Sequence, residues 1–185
     1  MKKISIIIPL SDERYCEVKN IQEGVNCILD QSKGMDAMQL VFLPLLNHPT
    51  LIQQLNDYAL SYPDSVRILP TPDKNTNIVS MVSEAVTGEY VLFYDMGNRW
   101  EEHALEKVYQ HFEKTPNSFD LCLCNEVFQK KTSAKSTFRF MYKSGNTFKD
   151  VRENPRYLAV SLNNVIFRRD ALCRACLLYT SDAAD

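Results

Sequence analysis

The 185-residue chain has no apolar run long enough for a membrane-spanning helix, which takes about 20 residues. Its N-terminal run, Ile4 to Leu10, follows Lys2 and Lys3 and is closed by Ser11, Asp12 and Glu13. That is too short for a secretory core as well, so it is read as a first buried strand. A disulfide framework is also missing. Cys16, Cys27, Cys122, Cys124, Cys173 and Cys176 lack the paired spacing of a cross-linked domain, and reduced cytosolic thiols are the simplest reading. His48, His103 and His111 share no metal-ligand spacing. Cys122-x-Cys124 places two thiols on one strand face with no partner pair nearby, which favours packing over zinc. There is no internal repeat or low-complexity tract. The formal net charge of −2 gives no strong global field.

What the chain does have is alternation. Val18, Ile21, Val25 and Ile28 recur at helical spacing, so an amphipathic helix is predicted from about Tyr15 to Gln31. Gln39 to Leu43 has strand character, and His48-Pro49-Thr50 opens a helical pattern carrying Leu51, Leu55, Tyr58 and Tyr62. A short strand from Ser65 to Leu69 is closed by Pro70 and Pro72. Ile78, Met81, Val82 and Ala85 mark a helix ending near Gly88. The strand Tyr90 to Tyr94 follows. Glu101 to Lys114 is the clearest helix, with Leu105, Val108 and Phe112 as its stripe and two acids in the first turn, where the helix dipole favours them. Phe119 to Phe128 and Asn163 to Phe167 supply further strands. Strands alternating with helices predict βαβ units, hence an α/β fold with a mainly parallel sheet flanked by helices. One domain of this size buries a sufficient core without cross-links.

Two segments stand apart. Cys176 to Asp185, CLLYTSDAAD, is spelled by ordinary codons that reproduce a transposase adapter of sequencing libraries, so residues 176–185 are read as a non-native tail. A domain over residues 1–175, incomplete at its C-terminus, is then expected. From Phe128 to Arg156, eight basic residues stand against two acidic ones, interleaved with Phe138, Phe140, Tyr142 and Phe148. This 128–156 segment is either a solvated excursion or a surface for an anionic partner, such as a phosphate-bearing acceptor or a membrane face. No nucleic-acid motif accompanies it, so nucleic acid is not expected.

The stretch Val86 to Trp100, VTGEYVLFYDMGNRW, runs from a wholly apolar strand into polar residues. In open α/β sheets ligands sit beyond the carboxyl ends of the strands, so Asp95 is the first residue placed to meet one. An aspartate there can equally cap the next turn, as Asp12 can after the first strand.

This stretch resembles the A-T-G-E-Y-hydrophobic-D-x-D-D-W segment of glycosyltransferase family 2, nucleotide-sugar enzymes of the GT-A (Rossmann-like) fold. SIIIPL, ending in Pro9 and Leu10, is similar to that family's first strand. Cys27 to Ser32 resembles its S-I-L-x-Q-S/T signature, and Asn163 to Asp170 its N-x-hydrophobic-F-K/R-R element. The resemblance implies a truncated GT-A domain transferring a sugar from a nucleotide-diphosphate donor to a cell-envelope polysaccharide or related acceptor. It further implies a cytoplasmic location, either free or at the inner face of the membrane. Pro9, Asp12 and Asp95 are the implied donor-binding residues. Asp95 and Asn98 are the implied ligands of Mg²⁺ or Mn²⁺, which suits hard oxygen donors.

Departures from the family pattern are several. Gly97 stands where the second acid is expected, Phe42 to Leu46 where an Asp-Asp-Gly-Ser is expected, and Val79-Ser80 where an Arg-Asn is expected. The catalytic carboxylate of an inverting transfer is expected beyond Ala175. Glu126 is an acid in view with no role assigned. Trp100 is placed either beside the donor or in the core. The alternative reading is a catalytically inactive GT-A module serving acceptor binding or scaffolding in a larger enzyme.

Overall fold

The computed structural model describes residues 4–13, 17–114, 120–124, 126–129, 136–140, 163 and 165–174. Eight strands are formed among them: β1 Ile4–Leu10, β2 Met38–Pro44, β3 Val66–Ile68, β4 Tyr90–Phe93, β5 Leu121–Leu123, β6 Glu126–Gln129, β7 Ser136–Phe140 and β8 Val165–Arg168. The helices are α1 Val18–Leu29, α2 Pro49–Ser61, α3 Ile78–Ala85 and α4 Ala104–Lys114.

Six strands make one sheet in the order β3-β2-β1-β4-β8-β5. The first four are parallel; β8 runs antiparallel to both β4 and β5. Consequently β5 points the same way as β4, and the mainly parallel sheet expected from the alternation is found. Side chains alternate between two buried layers, which is why these strands carry no polar alternation. Ile4, Ile6, Ile8 and Leu10 join Ile21, Val25, Leu51, Leu55, Leu105 and Phe112 on the side of α1, α2 and α4. Ile7, Val41, Leu43 and Val91 meet Val82 and Ala85 of α3 on the other. Each fully buried aliphatic side chain stabilises the fold by about 1.5–3 kcal/mol. No helix among the described residues is long and apolar enough to cross a membrane.

The segment Phe119 to Phe128 departs from its expectation of a single strand. β5 pairs with β8 through Cys122 and Ile166, whereas β6 pairs with β7 in a separate two-stranded sheet. The apolar run carries no mark of the change of partner at Cys124, because both halves satisfy strand periodicity. α4 also starts later than Glu101. The carbonyls of Glu101 and Glu102 accept from the Gln31 side chain (3.0 Å) and the Ser32 amide (3.2 Å), so this turn is fixed by α1. α1 itself is described from Val18, and Tyr15 lies outside the described residues. The last strand is displaced toward the C-terminus, Val165–Arg168 in place of Asn163 to Phe167.

Cys122 and Cys124 are free thiols that share a side-chain hydrogen bond, and both pack against the α1/α2/α4 layer. The bond from Cys124 pulls the Cys122 thiol down from its ordinary range. The same bond, with burial, pushes Cys124 up. Most of the basic segment 128–156 and all of the tail 176–185 lie outside the described residues.

Candidate functional site

The carboxyl ends of β1 to β4 form one edge of the sheet, and the polar residues singled out in the sequence gather there. β1 pairs with β4 up to Ile7 and Phe93, and the Tyr94 amide still donates to the Ile7 carbonyl at 2.8 Å. Asp95 follows directly, at the end of the sheet where Pro9 of β1 pairs with Leu43 of β2. Because β8 runs antiparallel to β4, it begins at this same edge, and Asn163 stands two residues before its first residue, Val165. Pro9, Asp12, Asp95 and Asn163 are all half-buried at this edge. Sequence reasoning placed Asn163 in a motif but gave it no site role; the reversed direction of β8 puts it there.

Asp95 holds its own turn. Its Oδ1 accepts from the Gly97 amide at 2.8 Å, and its carbonyl accepts from the Asn98 amide at 2.9 Å, the Asx-turn bonding of a short polar side chain. Met96 is buried against α1, where a Cβ on Gly24 would run into its Sδ. Tyr94, wholly buried, donates its hydroxyl to the Asn98 carbonyl at 2.8 Å. Burial, with the nearby Cys27 thiol, pushes that phenol far above its ordinary range. Trp100 meets the Tyr94 ring edge-on at 4.6 Å and packs on the core, and its amide donates to Cys27 Sγ at 3.2 Å.

Arg99 ties the loop to α1. Its Nη1 donates to the carbonyls of Met96 (3.0 Å) and Asn98 (2.7 Å), and its Nη2 to Glu23 Oε2 (3.0 Å). Glu23 lies near Lys19 as well, at 3.9 Å. No sequence signal singled out Arg99, because its partners are a helix residue far away in the chain and two backbone carbonyls.

The Cys27 to Ser32 motif and Gly88 serve the packing of the fold. Gln31 is buried, and its Oε1 accepts from the Leu105 amide at 3.1 Å while its Nε2 donates to the Glu101 carbonyl. It thereby satisfies an otherwise unpaired amide in the first turn of α4. Ser32 adds a hydroxyl bond to Glu106 at 2.9 Å, which lowers that carboxyl below its ordinary range. Gly88 sits at the opposite, amino-terminal edge of the sheet. A Cβ there would come within 2.6 Å of the Ser5 backbone nitrogen. A shallow depression lined by Thr87, Glu89, Arg168, Arg169 and Asp170 is at that far edge too, away from Asp95.

Leu43 and Pro44, the last residues of β2, are buried, and beyond it Leu45 and Leu46 are half-buried against the two core layers. An apolar wall therefore stands at the position of the family's acidic pair. On α3, Asn77 caps the helix by accepting from the Ser80 amide at 3.1 Å, and Val79 is exposed. Among the described residues no three His, Cys, Asp or Glu side chains are grouped so as to hold a metal ion. The Asp95 loop offers one carboxylate with an oxygen already engaged, one neutral amide and a guanidinium. That donor set does not fit a divalent cation, which favours several free oxygen ligands.

No family model matches the chain, and no curated protein matches it. Solved structures do. Over 97% of this chain and 49% of the other, it is similar to S. aureus TarS residues 1–349, with a TM-score of 0.65 and 20% identity. The same protein in complex with UDP-GlcNAc gives a TM-score of 0.60 at 20% identity, over 97% of this chain and 47% of that one. The mannosyltransferase PcManGT from Pyrobaculum calidifontis, in complex with GDP-Man and Mn²⁺, gives 0.61 at 15% identity, over 94% of this chain and 46% of that one. The chain spans about half the length of these structures, and at such identities the likeness is one of fold.

Proposed function

We propose that this chain is a glycosyltransferase domain that takes a nucleotide-diphosphate sugar at the carboxyl edge of its sheet and transfers the sugar to a cell-envelope polysaccharide or related phosphate-bearing acceptor. The observation that carries this reading is that Pro9, Asp12, Asp95 and Asn163 lie toward one edge of a sheet in a chain whose fold is similar to structures with bound UDP-GlcNAc and GDP-Man. Ligands bind at that edge in α/β sheets of this type. In this reading residues 1–175 act at the cytoplasmic side, at or near the inner membrane face. The basic segment 128–156 meets the acceptor phosphates or the membrane surface, and residues 176–185 take no part. No residue of the chain is assigned as catalytic base.

Titration with UDP, CDP and GDP by calorimetry tests the reading. Binding of at least one nucleotide is expected, and Asp95→Ala is expected to abolish it. No heat with any of the three overturns donor binding, and unchanged affinity in Asp95→Ala removes that residue from the site.

A second reading is favoured by the apolar wall at Leu43 to Leu46, where a donor-binding acid is expected. In it the chain is a catalytically inactive GT-A module for acceptor binding or scaffolding. Binding of acceptor polymer without nucleotide binding or sugar transfer supports that reading over the first.

A further inference from the structure

The resemblance implies a divalent cation at the loop from Asp95 to Trp100, yet that loop already contains a cation of its own. The Arg99 guanidinium collects three oxygens: the Met96 and Asn98 carbonyls on Nη1 and the Glu23 carboxylate on Nη2, at 3.0, 2.7 and 3.0 Å. A guanidinium presents five N–H donors in a fixed fork and stays charged at any relevant pH. It therefore gathers loop oxygens and offsets negative charge, the two tasks a bound metal performs in a loop of this kind. Its contacts also occupy the Met96 and Asn98 carbonyl oxygens, hard ligands of the kind a Mg²⁺ or Mn²⁺ ion would take. Gly97 brings no ligand, and Asp95 Oδ1 is committed to the Gly97 amide at 2.8 Å. A second cation would enter against the charge of the first.

We propose that Arg99 organises this loop in place of a divalent cation, so that a nucleoside diphosphate at the carboxyl edge is bound without metal. The inference rests on the nucleotide-binding reading given above. Arg99 is a positioning residue in this scheme: through Met96 and Asn98 it sets the turn that Asp95 heads, and through Glu23 it fixes the turn to α1.

Two measurements on the whole chain test it. Calorimetry with UDP and GDP in EDTA is compared with the same titrations in excess Mn²⁺, and Mn²⁺ alone is titrated and followed by the electron paramagnetic resonance of the free ion. Equal nucleotide affinity in both buffers and no uptake of Mn²⁺ are expected. A loss of affinity in EDTA of about tenfold or more, or stoichiometric Mn²⁺ uptake, overturns the proposal and leaves nucleotide binding standing. Absence of nucleotide binding in both buffers overturns the donor reading instead, and Mn²⁺ uptake then decides the loop by itself. The double substitution Gly97→Asp with Arg99→Asn, checked for folding by circular dichroism, is expected to gain Mn²⁺ uptake. A folded double variant that takes up none shows that Arg99 and Gly97 do not exclude the metal, and the proposal fails.

Discussion

Ser5 and Gln39 face each other across β1 and β2, and the serine hydroxyl donates to Gln39 Oε1 at 2.6 Å in a fully buried contact. Around this pair the chain makes a turn. Gln39 Nε2 donates to the Ala85 carbonyl at the end of α3 (3.1 Å), Gln39 Oε1 accepts from the Thr87 amide (2.9 Å), and Ser5 Oγ accepts from the Gly88 amide (2.9 Å). Two polar side chains inside an apolar sheet thus satisfy the backbone that leads into β4.

Replacing Gln39 tests that network. Gln39→Leu keeps the volume, strands the Ala85 carbonyl, takes the acceptor from the Ser5 hydroxyl and leaves the Thr87 amide only its longer bond to Ser5 Oγ at 3.3 Å. Each buried group left unpaired costs about 1–3 kcal/mol, so a loss of several kcal/mol is expected in urea unfolding. A change under about 1 kcal/mol would show that water or a shifted backbone replaces the side chain.

Gln31 makes the corresponding link at the start of α4. Gln31→Ala is expected to destabilise the chain by about 1–2 kcal/mol, the range seen for lost helix caps. Amide exchange at Leu105 is expected to quicken more than at Tyr109, because only the former gives its amide to Gln31. Uniform acceleration along α4 would point to global destabilisation in place of a local cap.

Tyr109 ties stability to alkaline pH. Its side chain is buried and its hydroxyl donates to the Ala37 carbonyl at 2.7 Å. Burial pushes the phenol from 10.0 up to about 12. The folded form thus holds a proton that the unfolded form releases, so this contribution is complete below pH 10 and declines as pH rises from 10 toward about 12. Tyr109→Phe is expected to flatten that part of the stability profile in denaturant melts, while lowering stability at neutral pH by about 1 kcal/mol for the lost bond. An unchanged alkaline slope would exclude Tyr109 as its source.

The helices and parallel strands were legible because apolar spacing is a local property. Val18 to Ile28 and Leu105 to Phe112 have helical period, and β1, β2 and β4 are apolar apart from the paired Ser5 and Gln39 because both faces are covered. The change of partner after Cys124 was not legible, since residues of equal strand propensity give no sign of which sheet they join. Helix boundaries moved where long-range bonds set them, as Gln31 does at Glu101 and Leu105. Asp95 was visible as the first polar residue after an apolar strand, but its bond to the Gly97 amide depends on turn geometry.

The amino-acid sequence by itself determined the α/β class, the order of the principal elements and the arrival of Asp12 and Asp95 after buried strands. Those properties follow from which residues water excludes and at what period. Only the tertiary structure decided that β8 pairs antiparallel with β4 and so begins at the edge where Asp95 lies, that Gln31 caps α4, and that Arg99 reaches Glu23 across a separation of 76 residues. Each of these contacts joins segments remote in sequence, and directional bonds between such segments exist only once packing has brought them within about 3 Å of each other.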